Sequence, residues 1–375
     1  MLGGMSLRPS ARRAILTVVG ARPQFIKASV LSRALASSGA LREVMVHTGQ
    51  HFDPQMSEVF FDELSIHAPQ YNLGVHSLTH GAMTGRMLEK LEEVCLRERP
   101  AAVVVFGDTN STLAGALAAR KLYIPVVHVE AGLRSFNPRM PEEVNRVVTD
   151  RVSDLLCCPT RRAVENLRAE GFDAMPCRVV ETGDVTLDAV LQHGRAAELR
   201  STVVERLGLR SRPYALATLH RAENTDDPRR LASIAAALDA LARDMMVVLP
   251  MHPRTAAAFA RHRLGVGVHV IEPVGYLDML RLLRGARVVL TDSGGLQKEA
   301  FCSGRPCVTL RDETEWVELL EGGHNRLAGA DADAIAAAVA GALSADLDFS
   351  VRLYGDGRAG ERIVEEIERL LSRIT

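Results

Sequence analysis

The sequence has almost no net charge, few aromatic residues and no long apolar run. Lys and Arg total 45 against 46 for Asp and Glu, so the composition indicates no basic surface for nucleic acid. Aromatic residues make up 4% of the chain, with a single Trp. No uninterrupted apolar stretch approaches the roughly 18 residues of a membrane-spanning helix. We therefore expect neither a nucleic-acid partner nor a membrane partner, and any anion site has to be local.

Signatures of disulfides and metal sites are also missing. The six cysteines include no CxxC pair, and most lie in apolar runs such as the one around Cys157 and Cys158. Buried free thiols in a reducing compartment are expected, which favours the cytoplasm. His47, His51 and His128 form neither an HExxH motif nor a Cys/His cluster. No metal site is therefore predicted.

What the chain does contain is a repeated alternation of short apolar strands and helices. Its 375 residues exceed one ordinary hydrophobic core. The alternation stops near residue 183 and starts again at Tyr214–Thr218. This pattern predicts an α/β protein with two doubly wound, Rossmann-like domains facing across a cleft. We place the first at residues 1–184 and the second at 185–358, with a closing helix at about 359–375 that packs back on the first.

The apolar runs and the helical periodicity locate the individual elements. The predicted strands are 14–20, 43–47, 101–106, 124–129, 154–158, 178–181, 214–218, 246–249, 268–271, 287–290 and 307–310. The predicted helices begin at 24 and 161 or span 56–64, 83–97, 111–121, 229–241, 277–283, 296–303, 331–343 and 361–372.

Acidic residues follow two neighbouring strands predicted in the first domain. Asp108 comes directly after one strand, Glu130 comes after the next, and Glu142 lies a little further along the chain. Ligands in such sheets bind at the carboxyl ends of the strands, where carboxylates can move protons on a ligand. The alternative is structural, with Asp108 capping the next helix and Glu130 paired with Arg134.

A basic pair lies where the first helix is predicted to begin. Arg22 belongs to the turn after the first strand, and Lys27 falls within the first two helical turns. Together with the N–H groups of a helix start, these cations can hold phosphate or carboxylate. A plain solvated turn is the alternative. The strand is not followed by GxGxxG, so a nicotinamide cofactor is not indicated, and no other cofactor is expected.

Polar residues also follow the strands predicted in the second domain. His220 and Arg221 come after the first of these strands, and His252 comes after the next. A histidine satisfied within the core is the alternative for His220. The neighbouring polar residues favour a loop that faces a ligand.

The most specific loop of the second domain contains Ser293, Gly294 and Gly295. Ser293 is suited to cap the following helix, and the two glycines leave room for an anion to approach its N–H groups. Glu299 lies six residues after Ser293, a spacing that suits a ribose diol when phosphate binds at the loop. A simple helix cap with packing glycines is the alternative.

Taken together, the motifs resemble those of the non-hydrolysing UDP-N-acetylglucosamine (UDP-GlcNAc) 2-epimerases, which share the GT-B architecture. The resemblance covers nearly the whole chain and is carried by GARPQFIK, HTGQH, GDTNST, HVEAGLR, PEEVNR, HRAEN, HPRT, TDSGGLQKEA and RDETEWVEL. It implies interconversion of UDP-GlcNAc and UDP-ManNAc, by anti elimination of UDP to 2-acetamidoglucal and re-addition. It also implies a homodimer that supplies precursors of cell-surface polysaccharides.

Matching positions carry the family's site onto this sequence. The resemblance implies that the catalytic residues are Asp108, Glu130, Glu142 and His220. It implies that the UDP-sugar is bound by Arg22, Lys27, His51, Arg146, His252, Ser293, Gly294, Gly295 and Glu299, without a metal.

Three motifs suggest a different substrate within the same family. GARPQFIKAS, SFNPRMPEE and HPRT are closer to a subgroup that contains 2-epimerases of UDP-2,3-diacetamido-2,3-dideoxyglucuronate. That sugar carries a C6 carboxylate, so an additional cation such as Arg139 or Arg254 would favour it. UDP-GlcNAc is the main expectation. The alternatives of other classes are a GT-B glycosyltransferase, a non-catalytic UDP-sugar-binding protein and a hydrolysing epimerase that releases free sugar.

Overall fold

The structure is a computed structural model that describes residues 12–50 and 58–374, leaving out the side chains of residues 58–60. These residues form two compact units. Unit 1 holds the described residues up to Ala189 and those from Tyr354 onward, and unit 2 holds Val190–Leu353. The predicted site residue His51 and the start of the helix predicted at 56–64 lie outside the described residues.

Two parallel sheets carry the architecture, one in each unit. Their strands are β1 (Arg13–Val19), β2 (Leu41–His47), β3 (Tyr71–Asn72), β4 (Ala102–Phe106), β5 (Val126–Val129), β6 (Leu155–Cys158), β7 (Arg178–Glu181), β8 (Tyr214–Thr218), β9 (Met246–Pro250), β10 (His269–Ile271), β11 (Val288–Thr291), β12 (Cys307–Thr309) and β13 (Asn325–Leu327). The order is β3-β2-β1-β4-β5-β6-β7 in unit 1 and β10-β9-β8-β11-β12-β13 in unit 2.

Helices connect the strands of both sheets. They are α1 (Arg22–Ser37), α2 (Glu58–Leu64), α3 (His80–Glu98), α4 (Asn110–Lys121), α5 (Pro141–Val152), α6 (Arg161–Ala169), α7 (Val185–Arg200), α8 (Val203–Arg206), α9 (Ala222–Thr225), α10 (Pro228–Leu241), α11 (Pro253–His262), α12 (Tyr276–Gly285), α13 (Gly294–Cys302), α14 (Val317–Glu321), α15 (Ala332–Ser344) and α16 (Ala359–Ile374). The predicted fold class, an α/β protein with doubly wound parallel sheets, is confirmed.

The core of unit 1 forms because its central strand is apolar on both faces. All five residues of β4 are buried, as parallel strands covered by helices require. Helix α4 packs closely on this sheet because its inner face is built from alanine and Gly115. A Cβ atom at Gly115 would lie 2.9 Å from a side-chain carbon of Val105. A larger residue there would push α4, and the loop that precedes it, away from the sheet.

Each sheet reverses its strand order at one place. In unit 1 this switch point lies between β1 and β4, and in unit 2 it lies between β8 and β11. The connections after these neighbouring strands diverge, which leaves a crevice at their carboxyl ends. The loops that the sequence analysis singled out follow these four strands and β5 and β9.

The structure also contains elements that the sequence analysis did not predict, including β3, α5, α7 and β13. Helix α5 was missed because its buried face is polar, with Glu143, Asn145, Arg146, Thr149 and Asp150 all buried. Hydrophobic periodicity gives no signal for such a helix.

The closing helix α16 packs against α1 in unit 1. A Cβ atom at Gly360 would lie 2.6 Å from a side-chain carbon of Val30, so the two helices approach closely there. Arg178 of β7 forms an ion pair of 2.5 Å with Glu366 of α16. The final residues of the chain thus cover one face of the sheet formed by its first half.

Two further observations concern the described ranges only. None of their helices is long and apolar enough to cross a membrane. Nor do three or more of their His, Cys, Asp and Glu side chains converge as a metal site would require. All six cysteines are present as free thiols.

Candidate active site

In unit 1 the predicted site residues gather around the switch point, and Gln24 joins its two sides. The side-chain oxygen of Gln24 accepts hydrogen bonds from the N–H groups of Gly20 (2.8 Å) and Ala21 (3.1 Å). Its amide nitrogen donates to the carbonyl oxygen of Phe106 at 2.7 Å. Gln24 is buried, so water does not compete for these bonds. The loops that follow β1 and β4 are therefore fixed to each other.

Asp108 lies directly after β4 and forms an ion pair with Arg146 of α5. Arg146 is buried, and another of its nitrogens lies 2.8 Å from the carboxylate of Glu143. The side-chain amide of Asn145 donates to the carbonyl oxygen of Asp108 at 2.9 Å. The residue that caps α4 is Thr109, so the interpretation of Asp108 as a helix cap is wrong.

Glu130 follows β5 and forms an ion pair with Lys27 of α1, which brings two predicted site residues together. The backbone of Glu130 has φ +73°, in the left-handed region that residues other than glycine rarely adopt. Such backbone strain concentrates at functional sites. The alternative partner, Arg134, instead pairs with Asp150 and Glu170, so the structural interpretation of Glu130 is also wrong.

The two acids at the start of α5 lie in different environments. Glu143 is buried and accepts hydrogen bonds from the N–H groups of Ser135 (2.9 Å) and Phe136 (3.0 Å), which holds the preceding loop. Burial raises the pKa of Glu143, but these hydrogen bonds and the charge of Arg146 outweigh it, and the net pKa lies below the usual value. Glu142 is half-buried, and within the described ranges its carboxylate makes no hydrogen bond or ion pair. Glu142 is thus available to a ligand.

The basic pair lies on the first two turns of α1. Arg22 is the first residue of the helix, Pro23 is the second, and the first turn contains no acidic residue. The turn before it requires glycine, because a Cβ atom at Gly20 would lie 2.0 Å from the hydroxyl oxygen of Ser111. This helix start therefore presents Arg22 and the Lys27–Glu130 pair at the switch point, while the N–H groups of Gly20 and Ala21 are bound by Gln24.

In unit 2 a buried carboxylate joins the two sides of the switch point. Asp292, directly after β11, accepts hydrogen bonds from the backbone N–H groups of His220 (3.0 Å) and Arg221 (2.9 Å). Another contact of 3.0 Å joins the carboxylate to Nδ1 of His220. Burial raises the pKa of Asp292, but the hydrogen bonds and charge from His220 outweigh it, and the net pKa is lowered. Asp292 therefore orients the imidazole of His220, whose side chain is 40% exposed.

The loop before α13 has the features of an anion site. Ser293 caps the helix by accepting a hydrogen bond from the N–H of Leu296, as predicted. A Cβ atom at Gly295 would have no atom within 4 Å, so nothing within unit 2 requires a glycine at this exposed position. The indole N–H of Trp316 donates to the carbonyl oxygen of Gly294 at 2.9 Å, and this hydrogen bond stabilises the start of α13. The arrangement leaves the helix start open to a phosphate.

The remaining predicted residues of unit 2 surround these two loops. The ring of His252 lies 6.0 Å from that of His220, measured between centroids, and His252 also caps α11. Glu299 is half-buried on α13 near Tyr276. Burial raises the pKa of Tyr276 far above its usual range, and the charge of Glu299 adds to the effect. Arg254 pairs with Asp226 at 2.9 Å.

Comparisons with known proteins identify the family of the chain. A family model described as UDP-N-acetylglucosamine 2-epimerase matches residues 33–368. The chain belongs to this family, which confirms the resemblance inferred from the motifs. As a member of this epimerase family, it is an enzyme of the isomerase class.

Three relatives indicate where the chain falls within the family. A Pseudomonas aeruginosa UDP-2,3-diacetamido-2,3-dideoxy-D-glucuronate 2-epimerase is 54% identical over 95% of this chain and 99% of that protein. A UDP-N-acetylglucosamine 2-epimerase from Methanocaldococcus jannaschii is 42% identical over 92% of this chain and 96% of that protein. A crystal structure of M. jannaschii UDP-GlcNAc 2-epimerase with UDP-GlcNAc and UDP superposes with a TM-score of 0.86, at 41% identity, covering 95% and 99% of the two chains.

Some residues that hold the site together were not among the predicted ones. Gln24, Glu143 and Asp292 each fix a loop that carries a predicted residue. All three lie inside motifs that the sequence analysis quoted. Their structural roles could not be predicted, because these roles depend on strands that are distant in sequence and adjacent in the sheet.

Proposed function

We propose that this protein epimerises UDP-2,3-diacetamido-2,3-dideoxy-D-glucuronate at C2. The observation that carries the proposal is the 54% identity to the P. aeruginosa enzyme of that name, over nearly the full length of both chains. Identity to the M. jannaschii UDP-GlcNAc 2-epimerase is lower, at 42%. The proposal corrects the main expectation from the sequence, UDP-GlcNAc, in favour of its first alternative.

The chemistry begins with elimination. A carboxylate removes the C2 proton, the C1–C2 double bond forms, and the C1–O bond breaks with its electron pair leaving on UDP. The C2 proton is not next to a carbonyl group, so its removal is feasible only as the C1–O bond breaks. Re-addition of UDP, with a proton delivered to the other face of C2, gives the epimer.

Asp108, Glu130 and Glu142 are the acids that we assign to this proton transfer. Asp108 and Glu130 are each paired with a cation, Arg146 and Lys27 respectively. Glu142 has no such partner among the described residues, which suits an acid whose protonation changes during the reaction.

Unit 2 is assigned to the UDP group. Ser293, Gly294 and Gly295 would hold the diphosphate at the start of α13, and Glu299 would bind the ribose. His220, oriented by Asp292, would carry a proton on both ring nitrogens, donate a hydrogen bond from the outward one to the departing phosphate and stabilise its developing charge. We assign Arg22 and His252 to neighbouring contacts with the substrate.

A uronate substrate calls for a cation near C6, and Arg139 is our assignment. Arg254, the other candidate, already pairs with Asp226. Arg139 is exposed, and within the described ranges its guanidinium forms no ion pair. Its loop is held by Glu143, whose carboxylate also binds Arg146, the partner of Asp108. Arg139 therefore lies on a loop tied to one of the proposed catalytic acids.

UDP-GlcNAc is the second candidate substrate. The observation that favours it is the M. jannaschii structure, solved with UDP-GlcNAc and UDP, to which this chain is 41% identical with a TM-score of 0.86. In this case Arg139 would have no carboxylate to bind.

Proton NMR of the purified protein in D₂O, with each UDP-sugar supplied separately, tests the assignment. The proposal expects deuterium at C2 and a second epimer from the diacetamido-uronate, with a lower kcat/KM for UDP-GlcNAc. Turnover of UDP-GlcNAc alone would overturn it. An unlabelled C2 with both sugars would instead support a glycosyltransferase or a sugar-binding protein, and free sugar would indicate a hydrolysing epimerase.

The substitution Arg139→Gln sharpens this test. It should lower kcat/KM for the uronate by about tenfold, a loss of about 1.4 kcal/mol, and leave UDP-GlcNAc turnover unaffected. Arg254→Gln is the matched control and should not discriminate between the two sugars. The homodimer stays a prediction, which sedimentation of the purified protein measures.

A further inference from the structure

A buried histidine that the proposed chemistry does not use lies between two of the catalytic acids. His128, in β5, is completely buried. Its Nε2 lies 2.7 Å from the carbonyl oxygen of Gly107, and its Nδ1 lies 2.6 Å from a carboxylate oxygen of Asp150. A carbonyl oxygen only accepts, so Nε2 is the donor in the first of these bonds.

The bond to Gly107 acts on the loop that carries Asp108. Gly107 is the residue immediately before Asp108 and has φ +64°, a backbone conformation that favours glycine. His128 holds the carbonyl of the peptide that joins Gly107 to Asp108 from the neighbouring strand. The orientation of this peptide determines where the Asp108 side chain points.

The bond to Asp150 continues into the loop that carries Glu130. The second carboxylate oxygen of Asp150 accepts from the N–H of Gly132 (3.2 Å) and from Nη1 of Arg134 (2.7 Å). Asp150 is completely buried. Gly132 and Arg134 lie two and four residues after Glu130, so Asp150 holds the turn that follows the strained backbone of Glu130.

We propose that His128, Asp150 and Arg134, which we call the strand-end clamp, are positioning residues that set the relative placement of Asp108 and Glu130. The proposal rests on the proposed C2 chemistry, in which both acids must address one sugar ring. Misplacement of a reacting group by about 1 Å can lower a rate by a factor of about 100. The hydrogen bonds of the clamp would prevent a displacement of this size between Asp108 and Glu130.

A purely structural network is the competing explanation, and the contacts argue against it. A buried ion pair in a core can be replaced by apolar residues at little cost in stability. Here the clamp contacts backbone groups within two residues of both acids, at Gly107 and Gly132. The outer end of the network is different, because Glu170 binds the guanidinium of Arg134 (2.6 Å), whereas the hydrogen bonds to Gly107 and Gly132 come from His128 and Asp150.

This difference provides a matched pair of substitutions. His128→Phe keeps a ring of similar size and removes both hydrogen bonds made by His128. Glu170→Gln, at the outer end, removes a charge from the same network while leaving His128 and Asp150 in place. A third variant, His128→Gln, retains an amide N–H that can still donate to Gly107. All three are compared in the full-length protein for kcat, KM and thermal midpoint, with UDP affinity measured separately.

We expect His128→Phe to lower kcat by about 100-fold with KM and UDP affinity within threefold of wild type. We expect His128→Gln to recover part of this loss. Glu170→Gln should lower the thermal midpoint while kcat stays within threefold. Unchanged kcat in His128→Phe, or an equal loss of kcat in Glu170→Gln, would overturn the proposal. Should His128→Phe fail to fold, a wild-type kcat in His128→Gln and in Asp150→Asn would overturn it equally.

The substrate assignment and the clamp fail in distinguishable ways. The measurements use whichever UDP-sugar the wild-type enzyme turns over. An inactive uronate with active UDP-GlcNAc refutes the proposed substrate and leaves the clamp testable on UDP-GlcNAc. An active wild type with unaffected clamp variants refutes only the clamp.

Discussion

The carboxylate of Asp292 lies 3.0 Å from Nδ1 of His220, and the side chain of Asp292 is fully buried. One nitrogen of the imidazole is thus committed to an interior partner, while the partly exposed ring presents the other to a ligand. The same carboxylate holds the backbone of the His220 loop. The pair therefore defines both the position of the ring and which nitrogen faces outward.

We predict that Asp292→Asn lowers kcat strongly although the amide is nearly the same size. An asparagine does not hold the imidazole in the same tautomer, and the loss in an analogous Asp–His pair is about 10⁴-fold. The measurement is kcat for Asp292→Asn, His220→Gln and the double variant. If the two residues act as one unit, the double variant is no slower than His220→Gln alone. Losses that multiply would contradict this coupling.

Gly295→Ala should affect stability and binding in opposite directions. The added methyl group meets no atom of unit 2 and removes backbone freedom from the unfolded chain, so unfolding free energy rises by about 0.4–1 kcal/mol. If a phosphate approaches this helix start, the same methyl group obstructs it, and UDP affinity falls by about tenfold, or about 1.4 kcal/mol. Thermal unfolding and UDP titration measure the two effects. Unchanged UDP affinity would place the diphosphate elsewhere.

Trp316 provides an internal reporter for the same loop. It is the chain's single Trp, and its indole N–H binds the carbonyl oxygen of Gly294. Because indole emission responds to changes at its hydrogen-bonding N–H, we expect UDP to alter the intrinsic fluorescence in a saturable manner. Gly295→Ala should shift this titration to higher UDP concentration. Trp316→Phe gives the background, and a flat wild-type titration would contradict the proposed phosphate site.

Adjacent acids in α5 should give opposite phenotypes. Glu142→Gln removes a proposed catalytic carboxylate, so kcat should fall by about 100-fold or more. Because this carboxylate forms no bond within the described ranges, the thermal midpoint should not change. Glu143→Gln removes charged hydrogen bonds to the preceding loop and should cost about 2 kcal/mol of unfolding free energy. Denaturant unfolding and steady-state kinetics of both variants measure this. The reverse pattern would mean that the two roles are exchanged.

The contribution of Glu143 to stability should depend on pH. Its pKa is lower in the folded protein than the usual 4.5, so the folded state favours the ionised form. The resulting stabilisation is fully present above the unfolded-state pKa and is lost as pH falls through the folded-state pKa. The difference in unfolding free energy between wild type and Glu143→Gln should therefore be constant near neutral pH and shrink below about pH 4.5. A difference that grows in acid would contradict the assigned sign.

Much of the fold was predictable because short segments of the sequence are sufficient to identify many of its strands and helices. Apolar runs such as β4 and β8 are short and bounded by polar loops, which the sequence displays directly. The loops after them were also predictable as sites, since strand ends carry ligands in this architecture. Helix α5 was not, because its inner face is polar and gives no apolar periodicity.

The contacts that support the candidate site were less predictable than the candidate residues themselves. Asp108 and Glu130 stand out as acids after strands, but their partners, Arg146 and Lys27, depend on which elements pack together. The structural alternative weighed from the sequence paired Glu130 with Arg134, four residues away. The tertiary fold overrides this choice, because Arg134 turns into the interior toward Asp150.

The position of α16 constrains how the protein is made. Gly360 donates its N–H to Asp188 at 2.9 Å, and Arg13 at the start of β1 binds the carbonyl oxygen of Leu371. A nascent chain therefore exposes part of the sheet of unit 1 until residues 359–374 have left the ribosome, while the continuous segment of unit 2 is already complete. Shortening the gene at the 3′ end would damage the unit encoded first rather than the one encoded last.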